Sequence, residues 1–310
     1  MGTKQTEDAS SLVLPNKTFV SKLSWLQIVR PLTFSGTISP ILAGTGLASL
    51  HGEVRLDLLI VLIAAALCVQ ISANLFNDYF DFKHGQDRDR WKTIENERDY
   101  RKPAHHQLPY AAATAIILSV ILGFWISLET SWTVALIGSA GIISGFLYSA
   151  GKHSFSSLGL GEVVASIFLG FVTTILGYIT QGQQINSFIL AVAAVYALLI
   201  ATMILTNNIR DIKKDAGFRK TLAMRLGKQK AKLLLSVILT AIYALVLFEV
   251  FLQILPITSL ISFLAIPAAF KLRGCFRQEA SNAENMQSMG WAAKHHWSFG
   301  LLLAISIWTG

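Results

Sequence analysis

Long apolar segments recur along this sequence and constrain its fold more than any other feature. A helix needs about 20 mostly apolar residues to cross a bilayer. The segments that meet this requirement are residues 28–50, 57–80, 108–128, 132–150, 160–180, 185–208, 231–252, 254–271 and 291–309. The connections inside 108–150 and 231–271 are very short, so those pairs are predicted to be antiparallel neighbours. The sequence therefore predicts an all-α integral membrane protein, a nine-helix bundle that forms one domain over residues 1–310.

Positive charge is distributed unevenly among the connections between these segments. If nine helices alternate in direction, every Lys and Arg except Arg55 falls on one side of the membrane. Cytoplasmic loops carry the excess of Lys and Arg, so the N-terminus is predicted inside and the C-terminus outside. The polar tail 1–23, the long loops 81–107 and 209–230, and the shorter loop 272–290 lie on the inner side. The net charge of +8 then reflects topology and attraction to membrane lipid, and no nucleic-acid partner is predicted.

A cluster of polar residues ends the second segment, within the stretch ANLFNDYFDFKHGQD. Asn74, Asn77, Asp78 and Asp81 are spaced so that they share one face of a helix. Ionisable groups at membrane depth are costly unless they are paired or functional. Oxygen ligands without His or Cys favour Mg²⁺, which commonly completes its shell with substrate phosphate. In the alternative interpretation the aspartates only solvate the helix end, paired with basic residues of the following loop.

The sixth segment ends in a similar arrangement, within LTNNIRDIKKDAGFRKTLAMRLGK. Asn207, Asp211 and Asp215 recur every fourth residue and share a face, and Asn208 lies one turn before Asp211. Both acidic helix ends are predicted on the same side of the membrane, where they can face each other across a cavity. Such a pair can hold two metal ions bridged by a diphosphate, because metals neutralise the charge of a leaving group.

Several stretches of the sequence are similar to the motifs of a known family. They are NLFNDYFDFKHGQD, NNIRDIKKD, RKTLAMRLG, RPLTFSGTISPILAGT, and GFLYSAG with GLGE, and together they span nearly the whole chain. On these motifs the chain resembles the UbiA superfamily of intramembrane prenyltransferases, which fold as nine-helix bundles. The Asn-Asp-Tyr-Phe-Asp form, followed by Asp87, is similar to the branch that prenylates 1,4-dihydroxy-2-naphthoate in menaquinone synthesis.

The resemblance implies Mg²⁺-dependent transfer of an isoprenyl group from a polyprenyl diphosphate to an aromatic acid acceptor, with two Mg²⁺ ions. Metals and fixed cations stabilise the charge that grows on the departing diphosphate, and a lipid-facing bundle shields an allylic cation from water. The implied metal ligands are Asn74, Asp78, Asp81, Asp211 and Asp215. The implied diphosphate ligands are Asn77, Arg101, Asn207, Asn208 and Arg219. The implied catalytic residues are Arg30, Lys102, Tyr148 and Lys220.

Several of these assignments have structural alternatives. Arg30 could serve as an anchor to lipid headgroups, and Tyr148 could be an ordinary interfacial aromatic residue. The basic loop residues could be solvated charges of the inner face. His105 and His106 could assist the acceptor by general acid–base chemistry, or could simply be solvated.

Two other functions also remain open at this point. One is a UbiA-type terpene cyclase, or a prenyltransferase of specialised metabolism, that uses the same diphosphate site with another acceptor or none. The other is a transporter or channel, although its charges would sit at one membrane face rather than at mid-membrane. The loops 86–107 and 150–161 differ from those of relatives, so the sequence leaves the acceptor open. It also leaves the prenyl chain length open.

Overall fold

The computed structural model describes residues 18–151 and 154–310. Most of the predicted tail 1–23 therefore lies outside the described residues. The α-helices are α1 (Trp25–Val29), α2 (Ser35–Ser49), α3 (Leu56–Lys83), α4 (Leu108–Glu129), α5 (Trp132–Ser149), α6 (Gly161–Ala165), α7 (Thr173–Ile179), α8 (Ser187–Asp215), α9 (Leu222–Leu226), α10 (Lys228–Phe251), α11 (Ile266–Gly274) and α12 (Asn282–Thr309). A π-helical stretch, Ser166–Val172, joins α6 to α7, and the 3₁₀ helix Ile257–Ala265 leads into α11.

Seven helical segments are long and apolar enough to cross a membrane within the described ranges. They are Leu56–Lys83, His105–Glu129, Trp132–Ser149, Gly161–Ile179, Ser187–Asp215, Lys228–Phe251 and Ile257–Gly274. These segments agree with seven of the predicted ones, and the prediction of an all-helical membrane bundle is confirmed. The two remaining predicted segments coincide with the short α2 and with α12, so the count of nine spans stays a prediction.

Two helix boundaries differ from the sequence prediction. Segment 28–50 is interrupted, because Arg30 adopts a left-handed conformation with φ 57° and Pro31 starts a 3₁₀ turn. Helix α12 begins at Asn282 rather than at residue 291, so the predicted loop 272–290 is largely helical. Ser281 starts this helix with a capping box, in which its hydroxyl accepts from the Glu284 backbone and the Glu284 side chain accepts in return. A search for apolar segments does not detect a polar helix start of this kind.

The helices α2, α7, α8 and α12 form the densest part of the core. Their contact surfaces bury large side chains such as Tyr196 and Phe299 completely. Helices α2 and α7 approach so closely that a Cβ atom added to Gly44 would lie 2.0 Å from the carbonyl oxygen of Thr174. The Thr45 hydroxyl also donates to the Gly177 carbonyl at 3.0 Å. Small residues allow such close backbone contact in membrane bundles, so this contact fixes α2 in place.

We expect Gly44→Ala to destabilise the protein by about 1–3 kcal/mol, because the added methyl group overpacks the α2–α7 contact. The measurement is thermal unfolding of the detergent-solubilised protein. Gly274→Ala is the matched control, since a Cβ atom there meets nothing within 4 Å. Equal stability of the two variants would show that the close contact is not required.

A small two-stranded antiparallel sheet connects the N-terminal segment to the loop after α3. Strand β1 (Phe19–Ser21) pairs antiparallel with β2 (Trp91–Thr93), and Val20 also bridges to Ala104. The sheet lies beside the end of α3, where the ring of Phe19 contacts that of Phe82 with centroids 5.2 Å apart. This sheet orders the long loop next to the first acidic motif, and it was not predicted from the sequence.

Candidate functional site

A cavity of about 1080 Å³ runs through the bundle beside α3. It is lined along α3 from Asp81 back to Leu62, a distance of about 28 Å at the rise of an α-helix. The end near Asp81 is lined by charged and amide side chains, whereas the remainder is lined mainly by apolar residues, together with Gln70 and several Ser and Thr residues. The cavity therefore has a polar head region and a long apolar arm nearly as deep as a bilayer core.

The two acidic helix ends meet at the polar end of this cavity. Arg219, in the loop after α8, forms an ion pair with Asp81 of α3. Its Nε also donates to Gln86 Oε1 at 3.1 Å, and Gln86 Nε2 donates to Asp215 Oδ1 at 2.7 Å. Burial lowers the pKa of the Arg219 guanidinium, but the charges of Asp81 and Asp215 outweigh it and the net shift is upward. Arg219 is thus a fixed cation between the two motifs.

A second ion pair strengthens the same junction. Lys214 Nζ of α8 lies 2.6 Å from Asp87 Oδ1 in the loop after α3. Arg90 Nη1 lies 3.1 Å from the other oxygen of Asp87 and 3.8 Å from Asp78 Oδ1. The junction is therefore rich in charges of both signs, as expected for a site that binds a highly charged group with metal ions.

Arg30 points into the polar end of the cavity. Its Nη2 donates to Asp78 Oδ1 at 2.5 Å and to Asn77 Oδ1 at 3.3 Å. Asn77 Nδ2 in turn donates to the Ser149 hydroxyl at 3.1 Å. Asp78 itself is buried and does not line the cavity. The guanidinium therefore faces the first acidic motif, which favours a role at the site over the alternative of a headgroup anchor.

The amide oxygen of Asn74 is free to face the cavity. Its Nδ2 donates to the Val29 carbonyl at 3.0 Å, which turns Oδ1 the other way. On α8, Arg210 donates to both carboxylate oxygens of Asp211 and, at 2.8 Å, to Asn207 Oδ1. The residues Asn74, Asn207 and Asp211 all line the cavity, so both motifs present oxygen atoms to the same space.

The donor set of this polar end fits Mg²⁺. It consists of carboxylate and amide oxygens, the ligands of a hard cation. Within residues 18–151 and 154–310, no three acidic, His or Cys side chains gather into a metal-binding group. Mg²⁺ usually takes only one or two carboxylates together with water and substrate phosphates. The ligands would come from both motifs, with Asn74 and Asp81 on one side and Asp211 and Asp215 on the other.

The structure does not bring three of the predicted loop residues to the cavity. Arg101 and Lys220 are exposed, and neither lines it. Lys102 Nζ instead lies 3.7 Å from Asp99 Oδ1. Lys92 donates to the same carboxylate at 2.9 Å and lowers its pKa. The geometry thus favours a local structural role for Lys102 and a solvated one for the other two.

Tyr148 lies at the cavity wall where α5 meets the start of α6. A Cβ atom added to Gly161 would lie 3.1 Å from the Tyr148 hydroxyl, so the start of α6 packs closely against the Tyr148 side chain. Asn208 of α8 also lines this wall, and its Nδ2 donates to Glu162 Oε1 at 2.7 Å. Tyr148 and Asn208 are therefore brought together with the acidic motifs around one cavity.

His105 is packed rather than solvated. Its ring stacks on Tyr79 with centroids 4.6 Å apart and contacts Phe82 at 4.5 Å and Trp91 at 5.3 Å. Its Nε2 lies 3.1 Å from the Tyr79 carbonyl oxygen. His106 is exposed, and neither histidine lines the cavity. The contacts of His105 favour a structural role, in which its ring packs the loop after α3 against α3, over a role in acid–base chemistry.

Sequence reasoning missed several charged or polar residues of this site. They are Gln86, Arg90, Arg210, Lys214 and Glu162. Arg210 and Lys214 stand inside the second motif, and their alternation with the acidic residues was the available signal. Gln86 and Glu162 stand inside the quoted stretches NLFNDYFDFKHGQD and GLGE, but their roles depend on contacts with α8 and the loop after it, which are distant in sequence.

Comparisons with known proteins agree with this geometry. The pattern that defines the UbiA prenyltransferase family matches residues 37–307. The 1,4-dihydroxy-2-naphthoate octaprenyltransferase of Bacillus subtilis (strain 168) is 30% identical over 306 residues, covering 98% of this chain and 97% of that protein. The apo structure of a UbiA homolog from Aeropyrum pernix K1 has a TM-score of 0.65 and 15% identity, and covers 90% of this chain and 97% of its own. The structure of a UbiA homolog from Archaeoglobus fulgidus bound to DMAPP and Mg²⁺ has a TM-score of 0.62 and 15% identity. The match covers 91% of this chain and 100% of that chain.

Proposed function

Because this chain belongs to the UbiA prenyltransferase family, we propose that it transfers an isoprenyl group from a polyprenyl diphosphate to 1,4-dihydroxy-2-naphthoate, in menaquinone biosynthesis. Family membership makes it a prenyltransferase of a multi-pass membrane fold, which sets aside the transporter alternative. The observation that carries the proposal is the shape of the cavity, which joins a highly charged end to a long apolar arm. The naphthoate activity in the name of the Bacillus relative supports the choice of acceptor.

The polar end matches the demands of breaking an allylic C–O bond. Two bound Mg²⁺ ions would supply Lewis acidity to the diphosphate oxygens. Arg30 and Arg219 are positioned to share the charge of the departing diphosphate, because both guanidinium groups lie beside the acidic motifs. The electron pair of the C–O bond leaves with the diphosphate, and the ring carbon that carries the acceptor carboxylate forms the new C–C bond. Loss of that carboxylate as CO₂ then returns its bonding electrons to the ring and restores aromaticity.

The apolar arm excludes water from the reacting carbon and holds the prenyl chain. Its walls come from α3, α4, α5 and the π-helical stretch before α7. Water must be kept away because it would capture an allylic cation. We propose that this polar end faces the cytoplasm, since the basic connections collect on its side of the membrane. The nine spans, with the N-terminus inside, complete this proposed topology.

The test is an assay of purified protein with Mg²⁺, a series of prenyl diphosphates and a panel of aromatic acids, read out by product mass. We expect a product that has gained the prenyl group and lost CO₂ with 1,4-dihydroxy-2-naphthoate. A terpene alcohol or hydrocarbon formed without any acceptor would contradict the proposal and favour a cyclase. Prenylation of a different acid without loss of CO₂ would contradict the choice of acceptor.

The width of the apolar arm leads to a prediction on prenyl chain length. Gly138 and Gly141 of α5 line the arm, and a Cβ atom added to Gly138 meets nothing within 4 Å. A larger side chain would therefore extend into the space that the prenyl chain needs. We expect Gly138→Leu to lower activity with the longest accepted prenyl diphosphate by about tenfold or more, while a short one is still used.

The control for this variant lies on the other face of the same helix. Ala140 is exposed and does not line the cavity, so Ala140→Leu should leave the preference for chain length unchanged. The measurement is the ratio of kcat/KM for long and short prenyl diphosphates. An unchanged ratio in Gly138→Leu would show that the chain does not occupy this arm.

A further inference from the structure

A buried glutamate adjoins the cavity and has no part in the reaction described above. Glu162 is the second residue of α6 and is only 5% exposed. Its Oε1 accepts a hydrogen bond from Asn208 Nδ2 at 2.7 Å. Its Oε2 is buried and has no hydrogen-bond partner among the described residues. A half-satisfied buried carboxylate is costly, so its presence beside a cavity calls for a functional explanation.

Glu162 determines how the side-chain amide of Asn208 is oriented. An ionised carboxylate only accepts hydrogen bonds, so the NH₂ group of the amide must face it. The amide oxygen, Oδ1, therefore points the other way. Asn208 lines the cavity, and no residue in the described part of the chain donates to its Oδ1. The pair thus offers a fixed hydrogen-bond acceptor to whatever occupies this wall.

The chemistry of an amide oxygen limits its ligand. The oxygens of an ionised diphosphate are themselves acceptors, so Asn208 Oδ1 does not bind them directly, contrary to the sequence assignment of Asn208 as a diphosphate ligand. An organic ligand must offer it a donor such as a hydroxyl group. Tyr148, Ser156 and Gly161 lie together next to Glu162 on this side of the cavity. The Tyr148 ring gives an aromatic substrate a surface to pack against.

We propose that Glu162 is a positioning residue, which turns the Asn208 amide so that Oδ1 accepts a hydrogen bond from a ring hydroxyl of the aromatic substrate. The inference rests on the proposed function for the existence of that substrate. It makes Asn208 a determinant of acceptor specificity, because a site built to bind a hydroxyl group discriminates strongly against an analogue that lacks it.

The experiment measures equilibrium binding of 1,4-dihydroxy-2-naphthoate and of its 1,4-dimethoxy analogue to purified protein, without prenyl diphosphate. We expect the wild type to bind the dihydroxy acid about tenfold more tightly than the dimethoxy analogue. Asn208→Ala should abolish this preference. Glu162→Gln should weaken it by about fivefold, because glutamine can donate to the amide oxygen and so permits the flipped orientation.

The double variant Glu162→Gln/Asn208→Ala separates positioning from a general structural effect. If Glu162 acts through Asn208, the double variant should bind no more weakly than Asn208→Ala alone. Glu249→Gln is the matched control, since Glu249 is another buried glutamate whose carboxylate oxygens have no partner in the described chain, and it does not line the cavity. Its binding preference should equal that of the wild type.

Three results would overturn the inference. The first is that the losses of binding affinity add in the double variant. The second is that Asn208→Ala keeps its preference for the dihydroxy acid. The third is that Asn208→Ala requires more Mg²⁺ or prenyl diphosphate but binds the acceptor as the wild type does. The last result would make Asn208 a metal or diphosphate ligand. Failure of the proposed function is distinguishable, because a wild type that binds the dihydroxy acid with the expected preference but transfers no prenyl group refutes the function alone. A wild type that binds neither acid refutes the inference.

Discussion

Asp211→Asn is expected to lower prenyl transfer by about a hundredfold or more while the protein remains folded. The reason is the loss of one negative oxygen from the polar end of the cavity, where the second acidic motif faces the first. Losing a single group that stabilises developing charge commonly costs two to three orders of magnitude, about 3–4 kcal/mol. The fold should tolerate the change, because the main partner of Asp211 is the adjacent Arg210, which keeps its contact with Asn207.

The dependence on Mg²⁺ distinguishes a metal ligand from a residue that only pairs with Arg210. A weakened ligand set requires more metal, so the variant should need a higher Mg²⁺ concentration for half-maximal activity. Asp89→Asn is the matched control, since Asp89 is an exposed acidic residue that does not line the cavity. Full activity of Asp211→Asn, or activity of the wild type in EDTA, would refute the metal-dependent mechanism.

The helical spacing of α3 placed Asn74 and Asp81 along the cavity, whereas Asp78 is buried against Arg30. The apolar runs predicted most of the bundle, because they depend on local periodicity, which an α-helix imposes on its own residues. The meeting of the two acidic motifs followed from one further step, the alternation of helices across a membrane. Side chains on long regular helices are thus placed well by sequence reasoning.

Three predicted loop residues, Arg101, Lys102 and Lys220, do not line the cavity, and the reason is physical. Lys102 and Lys220 were assigned to the site because they are basic and near a motif, but their positions depend on contacts with other loops. Lys102 is instead close to Asp99, in a loop whose course is set by the pairing of β1 with β2. Glu162 was quoted within the GLGE motif but received no role, because its partner on α8 is 46 positions away in sequence.

Replacing Arg30 should separate its two possible roles, catalytic cation and lipid anchor. The guanidinium contacts Asp78 and Asn77, and its backbone is left-handed with φ 57°. Glycine adopts that conformation without the steric cost of a side chain, about 1 kcal/mol. Arg30→Gly is therefore a better test than alanine, because it removes the side chain without adding backbone strain.

We expect Arg30→Gly to lower kcat by about a hundredfold or more, through the loss of a cation beside the departing diphosphate. Arg30→Lys keeps the charge but not the planar fork that reaches two acceptors at once, so we expect an intermediate loss of about tenfold. The assay measures steady-state kinetics with saturating acceptor, and Arg55→Lys is measured in the same way as the control. Arg55 is also an ion-paired arginine, with Asp57 and Glu129, at the opposite end of α3. A lipid anchor needs only a positive charge on a long side chain. If Arg30 is such an anchor, Arg30→Lys should have the kcat of the wild type, and Arg30→Gly should lower only the yield of folded protein. Those two results would assign Arg30 to the membrane rather than to the reaction.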